Sequence, residues 1–252
     1  SINPLPTVYT VTGGLPYCAG SAGSVIGLSS SNVGFSYQLY NGTGLVGGPV
    51  PGTGTSLSFG LQTLTGTYTV VASNTTTGCT ATMSGSPVIS ILSLPAAYTV
   101  SGTGSYCSGG TGVNVLLSNS VAGVNYQLYR GTTMVGTAVA GSGFPLDFGP
   151  QTAAGTYVVV ATNATTMCTN NMLGSAVISI NPLPTAYALT GGGAYCVGST
   201  GVHVGLIATT SGISYQLYNG LATVGAPMIG SGSALDFGLQ SAAGTYTVVA
   251  TN

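Results

Sequence analysis

Apolar and polar side chains alternate with a period of two along most of this chain, in short runs bounded by glycine, asparagine and threonine. The middle third shows it best. In VNVLLS (113–118), Val113, Val115 and Leu117 share one face; in VNYQLY (124–129), Val124, Tyr126 and Leu128 do. PLDFG (145–149) aims Leu146 and Phe148 one way, and GTYVVVATN (155–163) aims Tyr157, Val159 and Ala161 together. AAYTVSG (96–102), the weaker MVGTAV (134–139) and SAVISI (175–180) complete the set. Alternation of this kind predicts strands with one buried and one wet face, and turn residues every 8–12 positions separate them. No segment holds a 3.6-residue period over a useful length. Seven short strands with this punctuation predict a two-sheet sandwich.

The pattern is written three times. YQLY stands at 37–40, 126–129 and 215–218, and Cys18, Cys107 and Cys196 keep the same spacing of 89 residues. Such a period suits one small all-β domain of roughly 100 residues rather than a solenoid unit. It predicts three domains, 1–89, 90–178 and 179–252, the last about 15 residues short of a period. The inward set Val113, Val115, Leu117 becomes Ser24, Ile26, Leu28 and then Val202, Val204, Leu206. The outward Asn114 becomes Val25 and His203, which share no chemistry. A buried face keeps its character while a solvated face drifts.

Charge is nearly absent. Arg130, Asp147 and Asp236 are the charged side chains and His203 the single histidine, 1% charged against about 25% in ordinary domains. Such a chain neutralises almost no phosphate, so nucleic acid is excluded as a partner. It lacks a polybasic patch for anionic lipid, and no apolar run approaches the ~20 residues of a membrane span. The 44% hydrophobic content argues against disorder.

The resemblance then becomes specific. AAGTYVVVA is similar to the start of strand F in immunoglobulin-like domains, where a tyrosine after a glycine turn forms the tyrosine corner; Tyr68, Tyr157 and Tyr246 fit that role. Tyr37, Tyr126 and Tyr215 stand where antibody domains bury a tryptophan, of which this chain has none. The strings NPLPTAY, YCVGST, YQLYNG and GTYTVVATN resemble tandem Ig-like repeats of large secreted bacterial surface proteins, adhesins and filament-forming proteins among them. The fold class expected is all-β: tandem immunoglobulin-like antiparallel β-sandwich repeats of 89 residues. The setting implied is extracellular, at the bacterial cell surface.

Cys18 and Cys79 are 61 residues apart, as are Cys107 and Cys168, while Cys196 would find its mate past the last residue. Two equivalent pairs and one orphan predict a disulfide within each repeat, Cys18–Cys79 and Cys107–Cys168, and an oxidising compartment. A metal site is the competing reading, but C-x-x-C spacing and histidine partners are lacking.

Other candidates are read beside it. Asn41, Asn74 and Asn163 open N-x-T acceptor sequences, and Thr75, Thr76 and Thr165 offer hydroxyls for O-linked sugar. Outward Tyr40, Tyr129 and Tyr218 are candidate sugar or partner contacts. Asp147 and Asp236 sit in separate domains, and His203 has no acid nearby in the sequence, so both read as solvated positions. TGGG (190–193) and SGGTG (108–112) precede no helix and read as turns, not phosphate loops. No acid, base, nucleophile or metal constellation points to an enzyme, and no cofactor is implied.

A large uncharged surface needs a glycan coat or burial in an assembly. The expectation is therefore a glycan-coated structural subunit of a self-assembling extracellular fibre, with an adhesin stalk or glycan-binding module as the alternative. Prolines in INPLPT (2–7 and 180–185) and ILSLPA (91–96) predict short stiff joints. The third repeat lacks its counterpart of SAVISI. Either the chain runs on to supply it or a neighbouring subunit donates it.

Overall fold

Glycine-punctuated alternation produces strands throughout, with no helix among the described residues, 3–252 of a computed structural model. Ser1 and Ile2, the start of the first proline joint, lie outside them. The first repeat holds β1 (Val11–Gly13), β2 (Tyr17–Cys18), β3 (Ser24–Leu28), β4 (Phe35–Asn41), β5 (Gly44–Pro51), β6 (Leu57–Gln62), β7 (Gly66–Asn74), β8 (Thr80–Thr82), β9 (Val88–Ile89) and β10 (Ile91–Leu92). The second holds β11 (Val100–Ser101), β12 (Gly104–Cys107), β13 (Val113–Leu117), β14 (Val124–Arg130), β15 (Thr133–Ala140), β16 (Leu146–Gln151), β17 (Gly155–Asn163), β18 (Thr169–Asn171) and β19 (Ala176–Asn181). The third holds β20 (Leu189–Gly191), β21 (Val202–Leu206), β22 (Ser214–Asn219), β23 (Ala222–Ile229), β24 (Leu235–Gln240) and β25 (Tyr246–Thr251).

In the first repeat one sheet runs β1-β3-β6 and the other β5-β4-β7-β8, with β9 also on β7. These pairs are antiparallel; β2 and β10 pair in parallel as a separate two-stranded sheet. The strand order is that of an immunoglobulin-like sandwich. The second repeat reproduces it with β11-β13-β16, with β15-β14-β17 flanked by β18, and with β12 parallel to β19. The third has β20-β21-β24 and β23-β22-β25.

The inward positions meet between the sheets. Ile26, Leu28, Tyr37, Leu39, Tyr68, Val70 and Ala72 are fully enclosed in the first repeat. Val115, Leu117, Tyr126, Leu128, Tyr157, Val159 and Ala161 take the same places in the second. Burial of each large apolar side chain contributes about 1.5–3 kcal/mol. With so little charge, this burial and the strand ladders carry the fold.

Three strands depart from the alternation. β12 and β18 are too short to register as periodic runs, and AAYTVSG yields only Val100–Ser101. The weaker MVGTAV run, by contrast, lies in a full eight-residue strand, because its hairpin with β14 contains a bulge at Tyr126/Leu128 that absorbs the irregular residues.

The chain divides into two compact units: residues 1–103, 114–150 and 155–177, and residues 104–113, 151–154 and 178–252. The second repeat contributes residues to both.

Candidate functional site

The features that set this chain apart are its cysteines, and each is held by a built turn or strand. In the first repeat β7 ends at Asn74, whose side-chain carbonyl accepts from the amides of Thr76 and Thr77 at 2.9 and 3.0 Å. The Gly78 amide donates to the Asn74 backbone carbonyl, and the Cys79 amide to Thr77 Oγ1. The second repeat repeats every bond: Asn163 Oδ1 accepts from Thr165 and Thr166, Met167 N donates to Asn163 O, and Cys168 N to Thr166 Oγ1. The residue before the cysteine must take a left-handed conformation. Gly78 does so at φ 74°, and Met167 does so at φ 59°, where a side chain costs about 1–2 kcal/mol. Both turn asparagines use their carbonyl oxygen here, not the amide nitrogen to which a sugar would attach.

The other cysteine set lies at the opposite pole of each sandwich. Cys18 ends β2, opposite Leu92 in the parallel pair, and the Ala19 amide donates to Leu92 O. Tyr17 Oη fixes this strand to the Thr63 carbonyl in the turn before β7. Cys107 has the same place in β12, opposite Asn181, with Tyr106 Oη on Thr152 O. In the third repeat Tyr195 Oη bonds Ser241 O, and Cys196 O accepts from the Ser199 amide.

The disulfide of the structure therefore differs from the pairing expected. Cys18 is bonded to Cys168 of the next repeat, not to Cys79, with Cα atoms 5.6 Å apart and 150 residues between them. Cys79, Cys107 and Cys196 are free thiols, so neither Cys18–Cys79 nor Cys107–Cys168 forms. The reason is geometric. Cys18 is anchored beside the turn that precedes β7 and Cys79 follows its end; the eight steps along its nine residues, at about 3.3 Å each, put them roughly 26 Å apart. A disulfide spans 4.4–6.8 Å between Cα atoms. Cysteines at opposite poles of one sandwich meet only across the junction with the next, and the 61-residue spacing plus one 89-residue period gives the observed separation.

The tyrosines divide by position. Tyr68 Oη donates to the Leu64 carbonyl and Tyr246 Oη to the Ala242 carbonyl, each at 2.8 Å and four residues back; Tyr157 is buried. Burial pushes the Tyr68 and Tyr126 phenols above their ordinary value. Tyr37, Tyr126 and Tyr215 are buried and accept the amides of Asn32, Val121 and Thr210 in the preceding loop. Tyr40, Tyr129 and Tyr218 are half-buried; Tyr40 faces Leu45 and Tyr129 faces Met134 across the outer hairpin.

Asn41 is a clamp as well as an acceptor sequence. Its Nδ2 donates to Thr65 O, and its side chain covers Gly66 so closely that a Cβ there would lie 1.9 Å from Asn41 Oδ1. That contact is why glycine precedes Thr-Tyr. Asn219 covers Gly244 likewise, and the stem of Arg130 covers Gly155.

Sequence reasoning missed three sets of residues. Gln38, Gln127 and Gln216 each donate Nε2 to the carbonyls of the following leucine and of Val46, Val135 or Val224, pinning the bulge of the outer hairpin. The unchanging glutamine at an outward position of YQLY was the available signal. Ser31, Ser120 and Thr209 are buried hydroxyls that bond the carbonyls of Thr55, Phe144 and Ser233. His203, read as lacking a nearby acid, has Nδ1 2.6 Å from Asp236 Oδ2 across β21 and β24, both exposed. The Gly238 amide, then His203, hold the Asp236 carboxyl below the usual aspartate value. Asp147 accepts from Asn114 Nδ2 and from the Gly149 amide.

The third repeat carries an open groove beside β25, the edge of its sheet. One part, about 690 Å³, is lined by Tyr195, Val202, Val204 and Tyr246; another, about 290 Å³, by Leu206, Tyr215, Val248 and Ala250. The corresponding interior of the first repeat is filled by Ile89 and Met83. Among the described residues no cluster of three or more His, Cys, Asp or Glu exists that would hold a metal, and no helix is long and apolar enough to cross a membrane.

No protein-family profile and no curated protein sequence matches this chain. It is similar to solved structures of sandwich repeats. The fibronectin(III)-like modules of Clostridium thermocellum CbhA are 12% identical over 69% of this chain and 95% of theirs, with a TM-score of 0.40. The ectodomain of mouse nectin-like molecule 4 (Ig1–Ig3) is 15% identical over 94% of this chain and 92% of its own, at 0.38. Drosophila OTK extracellular domains 3–5 are 12% identical over 98% and 93%, at 0.32.

Proposed function

We propose that this chain is a structural subunit of an extracellular fibre, a row of Ig-like bricks at the bacterial cell surface, glycan-coated and self-assembling. The observation that carries the reading is the Cys18–Cys168 bond, which makes a covalent joint between consecutive repeats instead of stabilising one brick. A bond of that kind suits a mechanical element, and it requires the oxidising conditions found outside the cytoplasm.

The surface supports it. The outer edge strands β5, β15 and β23 are exposed over most of their length and carry Leu45 and Met134 near the half-buried tyrosines. With one cation and two carboxylates in 252 residues, charge does not keep copies apart. Thr75, Thr76 and Thr165 are exposed on the turns and Asn74 and Asn163 are half-buried beside them, where sugar would shield the apolar surface. The third repeat's groove, lined by Val204, Leu206, Val248 and Ala250, would take an apolar-faced strand such as 169–181, whether supplied by the same chain or a neighbour. Electron microscopy of the purified oxidised protein tests the reading. Regular fibres about one sandwich wide are expected; a stable monomer by sedimentation at high concentration, with no fibres, overturns it.

A second reading is a glycan-binding or adhesin stalk module. The repeated half-exposed Tyr40, Tyr129 and Tyr218 favour it, since aromatic rings stack on sugar faces. Glycan-array binding abolished by Tyr129→Ala would select it over the fibre.

A further inference from the structure

We infer that Asn74 and Asn163 carry N-linked sugar, one glycan on the cysteine turn of each of the first two repeats, and that the third acceptor sequence, at Asn41, is closed by its own contacts. The inference rests on the glycan coat of the fibre reading and names the atoms that hold it.

The three asparagines share the N-x-T pattern but not a setting. The Asn41 side chain is fully engaged. Its Nδ2 donates to the Thr65 carbonyl at 3.1 Å, its side chain also bonds the Tyr68 phenol, and a Cβ at Gly66 would lie 2.9 Å from that nitrogen. Asn219 builds the same clamp on the Ala243 carbonyl and Gly244, yet Gly220 and Leu221 follow it and it opens no acceptor sequence. The clamp alone therefore accounts for an asparagine at this place, and Thr43 is incidental to it.

On the cysteine turns the nitrogen is left over. Asn74 Oδ1 accepts from the Thr76 amide and Asn163 Oδ1 from the Thr165 amide, both at 2.9 Å, so the residue two ahead holds each carboxamide by its oxygen. Neither Nδ2 has a partner among the described residues. The hydroxyls complete the case. Thr75 Oγ1 donates to the Gly34 carbonyl, Thr77 Oγ1 accepts from the Cys79 amide and Thr166 Oγ1 from the Cys168 amide. Thr76 and Thr165 are exposed, and their hydroxyls make no such bond. The turn uses only their amides, which any residue but proline supplies. A hydroxyl two residues after the asparagine, in both repeats, is what an N-x-T acceptor demands. Neighbours without that duty differ: Thr75 becomes Ala164, and Gly78 becomes Met167.

The step needs a separate transferase and a sugar activated as a pyrophosphate ester. Nδ2 attacks the anomeric carbon, the C–O bond to pyrophosphate breaks with its electron pair, and one Nδ2 proton leaves to a base of the transferase. Oδ1 keeps both turn bonds. At Asn41 the same step would remove a hydrogen that the clamp uses.

The test is glycopeptide mapping by mass spectrometry of the protein purified from the cells that make it. Sugar is expected on the Asn74 and Asn163 peptides, with the Asn41 peptide at its plain mass. Thr76→Ala and Thr165→Ala are each expected to abolish sugar at their own asparagine without moving the Tm of the unglycosylated protein, since neither hydroxyl is bonded. Asn41→Ala is expected to lower that Tm and leave the glycan mass unchanged. Sugar on Asn41, plain peptides at Asn74 and Asn163, or sugar that persists in Thr76→Ala and Thr165→Ala overturns the inference. Fibres built from protein with plain asparagines would remove the glycan sites alone. Occupied Asn74 and Asn163 in a protein that forms no fibres would uphold the sites and remove the fibre.

Discussion

Single side chains here do work that charge does in ordinary domains. Gln127 illustrates it: its amide reaches the carbonyls of Leu128 and Val135, which the bulge between β14 and β15 pulls away from the ladder. Gln127→Ala leaves those acceptors without this donor. A loss of about 1–3 kcal/mol is expected in urea denaturation, with faster amide exchange along β15 as the local sign. Asp236 is the electrostatic exception. Because the Gly238 amide and then His203 favour its charged form, its titration midpoint by NMR is expected below that of a free aspartate. A depressed folded-state value means the contribution is present above the unfolded value and fades as pH falls through the folded one. His203→Ala is expected to raise the midpoint only part of the way, since the backbone donor ranks first. These residues also show what the alternation pattern conceals. Gln127 and His203 lie on outward positions, which a two-period reading assigns to solvent; only the unchanged glutamine in three copies marks one of them. The fully enclosed inward positions, such as Ile26, Val115, Leu128 and Val159, were legible because burial there tolerates apolar side chains, whereas Ser24, Val113 and Val202 at the strand starts are only half-buried and admit a serine.

At the level of turns and strands, the cysteine-bearing turn after β17 holds a residue in a conformation that suits glycine. Met167 stands where the first repeat has Gly78. Met167→Gly removes about 1–2 kcal/mol of left-handed strain and costs about 0.5–1 kcal/mol in unfolded-chain entropy. A net gain of up to about 1 kcal/mol is expected, read as a higher Tm of the oxidised protein. Long alternating strands such as β14 and β17 announce themselves because seven or nine residues sample the period several times. The two- to four-residue strands β2, β10 and β12 do not, and β2 with β10 places the bonded Cys18 while β12 places the free Cys107. Hence the sandwich was legible while its joint was not: equal spacing of cysteines says they are equivalent, but not which pole each occupies.

For the whole chain, the joint predicts coupled stability of the first two repeats. A bond closing a loop of 150 residues contributes about 5 kcal/mol in the chain-entropy model. Cys168→Ser is therefore expected to lower the unfolding midpoint, while Cys79→Ser leaves the isolated chain unchanged; thermal melts of the two variants, side by side, check this. The comparison separates the bond that forms from the one that spacing within a repeat had suggested.

Tension shows what the cross-junction bond accomplishes. A force applied at the two chain ends enters at Cys18, crosses the sulfurs and leaves at Cys168, so residues 19–167 carry no load. The sandwich strands behind that shortcut, β3 to β17, are spared. Single-molecule stretching under oxidising conditions should release none of that hidden length, and reduction should release roughly 500 Å of it. Extensibility thus becomes a matter of redox state, and a brick that looks soft on paper behaves as a link in a chain.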